Sequence, residues 1–308
     1  MKRFRHVVVA AAAALALTAC GGDEGDPLSS GASGAEPAPD DVVRIGSANF
    51  TENQLLAEIY AAALEGAGVT VERNLNIGSR EAYFPGLTDG SIDLIPEYTG
   101  NLLRYVDESA TAAESQEVYD ALADALPDGL EVLEQSAAED KDAVVITQET
   151  ADRLGVTSLA DIGPSCGELV FGGPPEFAER QYGLPGIEET YGCTFREFRP
   201  LDAGGPLTVA ALQDGTIQAA NLFTTDPTIE QQGWVALEDP EVNFVAQNVV
   251  PLINSDKVTD TIRTTLNEVS AGLDTETLLG LNTELASPER PDVAQVAQDF
   301  VTSLNIGS

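Results

Sequence analysis

From Val42 onward, short apolar runs alternate with stretches whose apolar residues recur at helical spacing, and this alternation restricts the chain to an α/β architecture. Val42–Gly46 reads as a strand. Glu52–Glu65 carries a stripe of Leu55, Leu56, Ile59, Ala63 and Leu64 and reads as a helix behind a cap at Asn49 or Thr51. Val69–Leu75 returns as a strand, Glu81–Asp89 as a helix and Ile92–Ile95 as a buried strand. The order then repeats, with strands at Leu169–Phe171, Phe195–Phe198 and Ile217–Leu222 and a helix at Pro206–Asp214. Trp234–Leu237 and Asn243–Val249 follow as further extended segments, and the chain closes with helices at about 257–271, 274–286 and 288–303. Ala143–Thr147 reads as a further strand, and it and a second apolar segment, Val249–Ile253, stand where the chain can cross between halves. The expectation is two lobes, residues 42–146 and 147–250, with 251–308 returning to the first, and a hinged cleft between them.

The segment before Val42 has a different character. Lys2, Arg3 and Arg5 precede an apolar run from Val7 to Leu17, and Thr18-Ala19-Cys20 follow. A basic end, a short apolar run and small residues make a secretory signal. The run is about half of the roughly twenty residues that span a bilayer. Cys20 at the cut point resembles the lipobox of bacterial lipoproteins. That resemblance implies removal of residues 1–19, lipid on Cys20 and an outer-face, membrane-anchored protein. Residues 20–41 are Gly, Ser, Ala, Pro and acids, which read as a flexible tether. The roughly 290 residues from Cys20 onward suffice for two ordinary domains.

Composition removes whole classes of chemistry. The single histidine, His6, lies in the signal, so histidine-dependent triads, bases and metal sites are not expected. Fifty-one acidic residues face fifteen basic ones, for a formal net charge of −36, and such a surface repels nucleic acid. No P-loop and no Asp-rich calcium loop occurs, so neither a cofactor nor a metal is expected, and no enzyme. Cys166 and Cys193 are read as a disulfide in an oxidising compartment, closing a loop of about 28 residues.

Several blocks, in order, carry a family resemblance. Ile45-Gly46-Ser47-Ala48-Asn49-Phe50-Thr51-Glu52 is followed by Gly78-Ser79-Arg80-Glu81 and by Ile92-Asp93-Leu94-Ile95-Pro96-Glu97-Tyr98-Thr99-Gly100. Gly172–Phe177, Leu201–Leu207, Phe223–Pro227 and Gln247–Pro251 continue the series. Together they resemble the substrate-binding proteins of osmoprotectant ABC importers, which take up glycine betaine, choline and carnitine. The resemblance implies a two-lobed periplasmic-binding-protein fold of type II, ligand held between the lobes, monomeric action and delivery to a membrane permease.

A trimethylammonium group has no N–H to donate, so aromatic faces are what can hold it. Tyr98, Phe50, Tyr83, Phe177 and Phe223 are the candidate rings, with Glu97 and Asp226 as added negative charge and Glu52 as a helix-start acid. Asn49, Thr51, Thr99 and Thr224 are candidate polar contacts. A ligand carboxylate needs cationic donors. The family opening usually carries lysine where this chain has Ala48, which leaves Arg80 and Arg180 as candidates. If neither arginine reaches the cleft, a ligand without a carboxylate, such as choline, is favoured. Ergothioneine and an amino acid remain alternative ligands, because one fold serves many.

Overall fold

The computed structural model describes residues 42–306, and within them two five-stranded sheets follow one strand plan. The first sheet contains β1 (Val42–Ala48), β2 (Thr70–Gly78), β3 (Leu94–Tyr98), β4 (Leu130–Val132) and β10 (Val249–Asn254). Its order is β2-β1-β3-β10-β4. The second contains β5 (Asp142–Ile146), β6 (Val170–Gly173), β7 (Glu197–Pro200), β8 (Ala219–Phe223) and β9 (Val235–Ala236), in the order β7-β6-β8-β5-β9. In each sheet three parallel strands are followed by one antiparallel strand that arrives from the other half: β10 against β3, and β5 against β8. β3 and β5 are buried at every position, Glu97 and Asp142 included.

Helices cover both faces of both sheets. The first-lobe helices are α1 (Thr51–Gly66), α2 (Arg80–Asp89), α3 (Thr99–Val106) and α4 (Ser115–Ala125). The second-lobe helices are α5 (Gln148–Leu154), α6 (Leu159–Ile162), α7 (Leu184–Tyr191), α8 (Pro206–Gln213) and α9 (Pro227–Gln232). The C-terminal helices are α10 (Asp260–Ala271), α11 (Thr275–Leu285) and α12 (Val293–Leu304). α1 shares one core with α10 and α12, while α2, α3 and α4 form another on the opposite face. Leu55, Leu56, Ile59 and Leu64 of α1 are fully buried. Each contributes roughly 1.5–3 kcal/mol relative to exposure. α12 begins later than its periodicity suggests, because Pro291 disfavours helix before it and Asp292 caps the turn that follows.

The crossings also differ from expectation. Ala143–Thr147 and Val249–Ile253 are not the connections themselves, and β5 lies in the second sheet, not at the end of the first lobe. The chain passes between sheets upstream of each antiparallel strand, through residues 133–141 and 237–248. The first crossing alternates buried and more exposed residues, and in the second residues 243–248 are buried throughout, which gives Asn243–Val249 its strand-like pattern, but only Val249 joins a ladder. The two crossings run side by side. Asp140 N–H donates to Gln247 O at 3.1 Å, and Val249 N–H donates to Ala138 O at 3.0 Å. Gly100 lets the second crossing lie against the start of α3, since a Cβ there would lie 2.4 Å from Ala246 O. The expected signal, Cys20 and the tether lie outside the described residues.

Cys166 and Cys193 form a disulfide that ties the turn before β6 to the end of α7. Both sulfurs sit in the second-lobe core. Replacing both cysteines with serine is expected to lower unfolding free energy by roughly 3–4 kcal/mol in urea titration. An unchanged midpoint and slope would contradict that role.

Candidate functional site

The C-terminal ends of the parallel strands in both sheets face one interlobe cavity, as the strand order of open α/β sheets requires. The loop after β1 contributes Ala48, Asn49 and Phe50, and the turn after β2 contributes Ser79 and Arg80. Tyr98 ends β3 and Asn101 lies in the first turn of α3. The second lobe contributes Asp142, Glu176, Arg180, Ala203, Asn221 and Phe223, and the crossing between the sheets supplies Asp140.

Three rings meet at the wall of this cavity. Phe50 of the first lobe stacks on Phe223 of the second with centroids 5.1 Å apart, and Tyr98 lies 6.0 Å from Phe50. A methylated nitrogen does not fit between two rings already in contact, so the cluster presents a wall to the cavity. Gly204 permits the stack, because it adopts φ +63° and its Cβ would lie 3.1 Å from the Phe223 ring. The Tyr98 hydroxyl donates to Glu52 Oε1 at 2.7 Å, and the Tyr83 hydroxyl donates to Glu97 Oε1 at 2.6 Å. Burial, and then the adjoining carboxylate, push both phenols well above their ordinary range, so they remain neutral donors.

Both arginines reach the cavity, but each is engaged. Arg80 donates to both oxygens of Glu97, at 2.8 and 2.7 Å, in a buried pair. Arg180 crosses the cleft and donates to both oxygens of Glu81 at 3.1 Å, and to the Tyr182 hydroxyl at 2.9 Å. Burial acts to raise the Glu81 carboxyl, but Arg180 more than offsets this and holds it at about 2. Ala48, where the family opening carries lysine, adds no charge to the cavity wall.

Two carboxylates have no such counter-charge. Asp140 and Asp142 are 4% and 6% exposed, and among the described residues neither forms a salt bridge. Asp142 accepts from Asn101 Nδ2 at 2.8 Å and from Asn221 Nδ2 at 2.9 Å. Asp140 accepts from Thr225 N–H at 3.1 Å and from the Thr224 hydroxyl at 3.3 Å. Burial first, and the charge of Glu52 second, push the Asp140 carboxyl well above its ordinary range.

Asn49, Phe50, Arg80, Tyr83, Tyr98, Arg180 and Phe223 therefore come together, while four other candidates do not. Phe177 is 1% exposed and stacks on Phe171 in the second-lobe core. Thr99 accepts from Asn248 N–H at 3.0 Å and thereby holds the second crossing. Thr224 bridges Lys141 N–H and Asp140 at the first crossing. Thr51 lies on the far side of the Phe50–Phe223 stack, in an outer groove with Asp226. Glu97 is neutralised by Arg80, and Glu52 ties Tyr98, Thr225 and Asn282 together. Asp140, Asp142, Asn101 and Asn221 carry no local signal that sets them apart, and only the crossing of the chain brings them to one wall.

Residues 41–303 match the family model described as the substrate binding domain of ABC-type glycine betaine transport systems. The chain belongs to this family. The glycine betaine-binding protein YehZ of Escherichia coli K12 is 29% identical over 273 residues, covering 84% of this chain and 89% of that protein. A glycine-betaine-binding protein of Pseudomonas aeruginosa is 28% identical over 277 residues, covering 85% and 87%. The crystal structure of a glycine betaine/carnitine/choline ABC transporter protein superposes with a TM-score of 0.67 at 19% identity, covering 86% of this chain and 99% of that one. That likeness gives the fold of this binding domain: two α/β lobes around a cleft.

The raised carboxyl of Asp140 sets a pH dependence for the binding domain. Between the unfolded and folded values the native state holds more protons, so stability falls as pH rises through the folded value. Urea titrations across that range should show this decline in the parent protein and a shallower one in Asp140→Asn. Equal slopes would contradict the assignment.

Proposed function

We propose that this chain is an extracytoplasmic, lipid-anchored binding protein that captures a quaternary-ammonium osmoprotectant between its lobes and delivers it to an ABC permease. The observation that carries this reading is an aromatic wall facing buried carboxylates without counter-charge. Phe50, Tyr98 and Phe223 offer ring faces to a cation that has no N–H, and the buried Asp142 supplies long-range attraction in a low dielectric. Tyr83, Asn49 and Asn101 complete the lining in this reading, while Arg80 and Arg180 brace it.

An amino acid would need a free cation for its carboxylate, and both cavity arginines already hold carboxylates of the protein. This counts against that alternative. In the lipoprotein reading Cys20 carries the acyl chains and residues 21–41 set the reach from the membrane.

Calorimetric titration with choline, glycine betaine, carnitine and ergothioneine should detect binding of at least one. Tyr98→Ala should weaken it by at least tenfold, about 1.4 kcal/mol. No heat with any ligand at millimolar concentration, or an unaltered affinity in Tyr98→Ala, would sink the reading. Separately, Cys20→Ser should move the protein from the membrane fraction to the soluble fraction. An unchanged distribution would contradict lipid anchoring.

A further inference from the structure

Asn221 is 1% exposed, lines the cavity from β8, and its Oδ1 is buried with no hydrogen-bond partner. Its amide orientation follows from its neighbour. Nδ2 donates to Asp142 Oδ1 at 2.9 Å, and a flipped amide would set Oδ1 against that carboxylate. The orphaned atom is therefore an acceptor. A buried acceptor left unpaired is costly, so such atoms in a binding cavity point to the group that completes them.

The rest of this wall has the same polarity. Each Asp142 oxygen accepts one amide hydrogen, which leaves further acceptor capacity on both. Asp140 adds a third buried acceptor group. The cationic donors that would receive a carboxylate are occupied, Arg80 by Glu97 and Arg180 by Glu81. A ligand carboxylate at this wall would meet Asp142 and Asn221 Oδ1, and both repel it. A ligand hydroxyl would instead donate its proton to Asn221 Oδ1.

We propose that Asn221 is a specificity-determining residue that reads a hydroxyl on the ligand, and that the preferred ligand is a hydroxylated quaternary ammonium without a carboxylate. This rests on the quaternary-amine reading of the cleft and narrows it. Glycine betaine carries no hydrogen-bond donor, whereas choline carries one. A site built to pair a substrate hydroxyl discriminates strongly against the analogue that lacks it.

The test compares choline with its O-methyl ether, which keeps the cation and removes the donor, alongside glycine betaine and tetramethylammonium. Titration calorimetry on the parent protein should give choline at least tenfold tighter binding than the ether, and tighter binding than glycine betaine. In Asn221→Ala, with folding checked by circular dichroism, the choline-to-ether affinity ratio should fall to within about twofold. The readout is a ratio on one preparation, so a general loss of affinity does not imitate it. If the variant does not fold, the comparison on the parent protein decides. Equal binding of choline and the ether, tighter binding of glycine betaine, or a ratio that survives Asn221→Ala overturns the proposal and leaves the quaternary-amine reading standing. Failure of all four compounds to bind removes both.

Discussion

Two buried carboxylates stand where the chain passes from one sheet to the other, and among the described residues neither forms a salt bridge. In a low-dielectric interior an unpaired carboxylate is expensive, and a protein keeps one only where something compensates it. Asn101 and Asn221 satisfy part of Asp142, and backbone and hydroxyl donors from Thr225 and Thr224 satisfy part of Asp140. The remaining imbalance is negative and sits beside a wall of ring faces. A monovalent organic cation is the species that relieves it, and the architecture around the cleft follows from that demand.

The same residues link binding to the relative placement of the lobes. Asn101 belongs to the first lobe, whereas Asp142 and Asn221 belong to the second. Phe50 stacks on Phe223 across the cleft, Arg180 reaches Glu81 across it, and the Thr225 hydroxyl donates to Glu52 across it. An aromatic contact, an ion pair and a hydrogen bond therefore join the lobes around the cavity. Hinge motion at residues 133–141 and 237–248 would break these contacts together, which suits a clamp that exchanges ligand with a partner.

The fold was legible because buried strands and helical stripes are local patterns. Val42–Gly46 reads as the strand it becomes, Ile92–Ile95 and Ile217–Leu222 overlap β3 and β8 but begin two residues early, and the α1 stripe follows from its spacing. Ala143–Thr147 reads as the strand it is, but which sheet it and Val249–Ile253 join was less legible, since an apolar run looks the same in either lobe or at a crossing. Among site residues, the rings beside the strand ends could be singled out by residue type. Phe177 shows the limit of that approach: it follows a glycine-proline turn next to the cleft, yet its ring points into the core against Phe171. Arg80 and Arg180 are placed at the cavity, but their pairing with Glu97 and Glu81 depends on residues far apart in the chain. Asp140, Asp142 and Asn221 were invisible among so many acids and amides, because their significance arises only when β5 and β8 pair.

A crystal structure of the protein with choline tests the central claim most directly. The account predicts the trimethylammonium group against Phe50, Tyr98 and Phe223, on the side of the stack that faces Asp140 and Asp142. Density for the ligand in the outer groove beside Asp226, or a cavity whose rings leave the cation untouched, would contradict it.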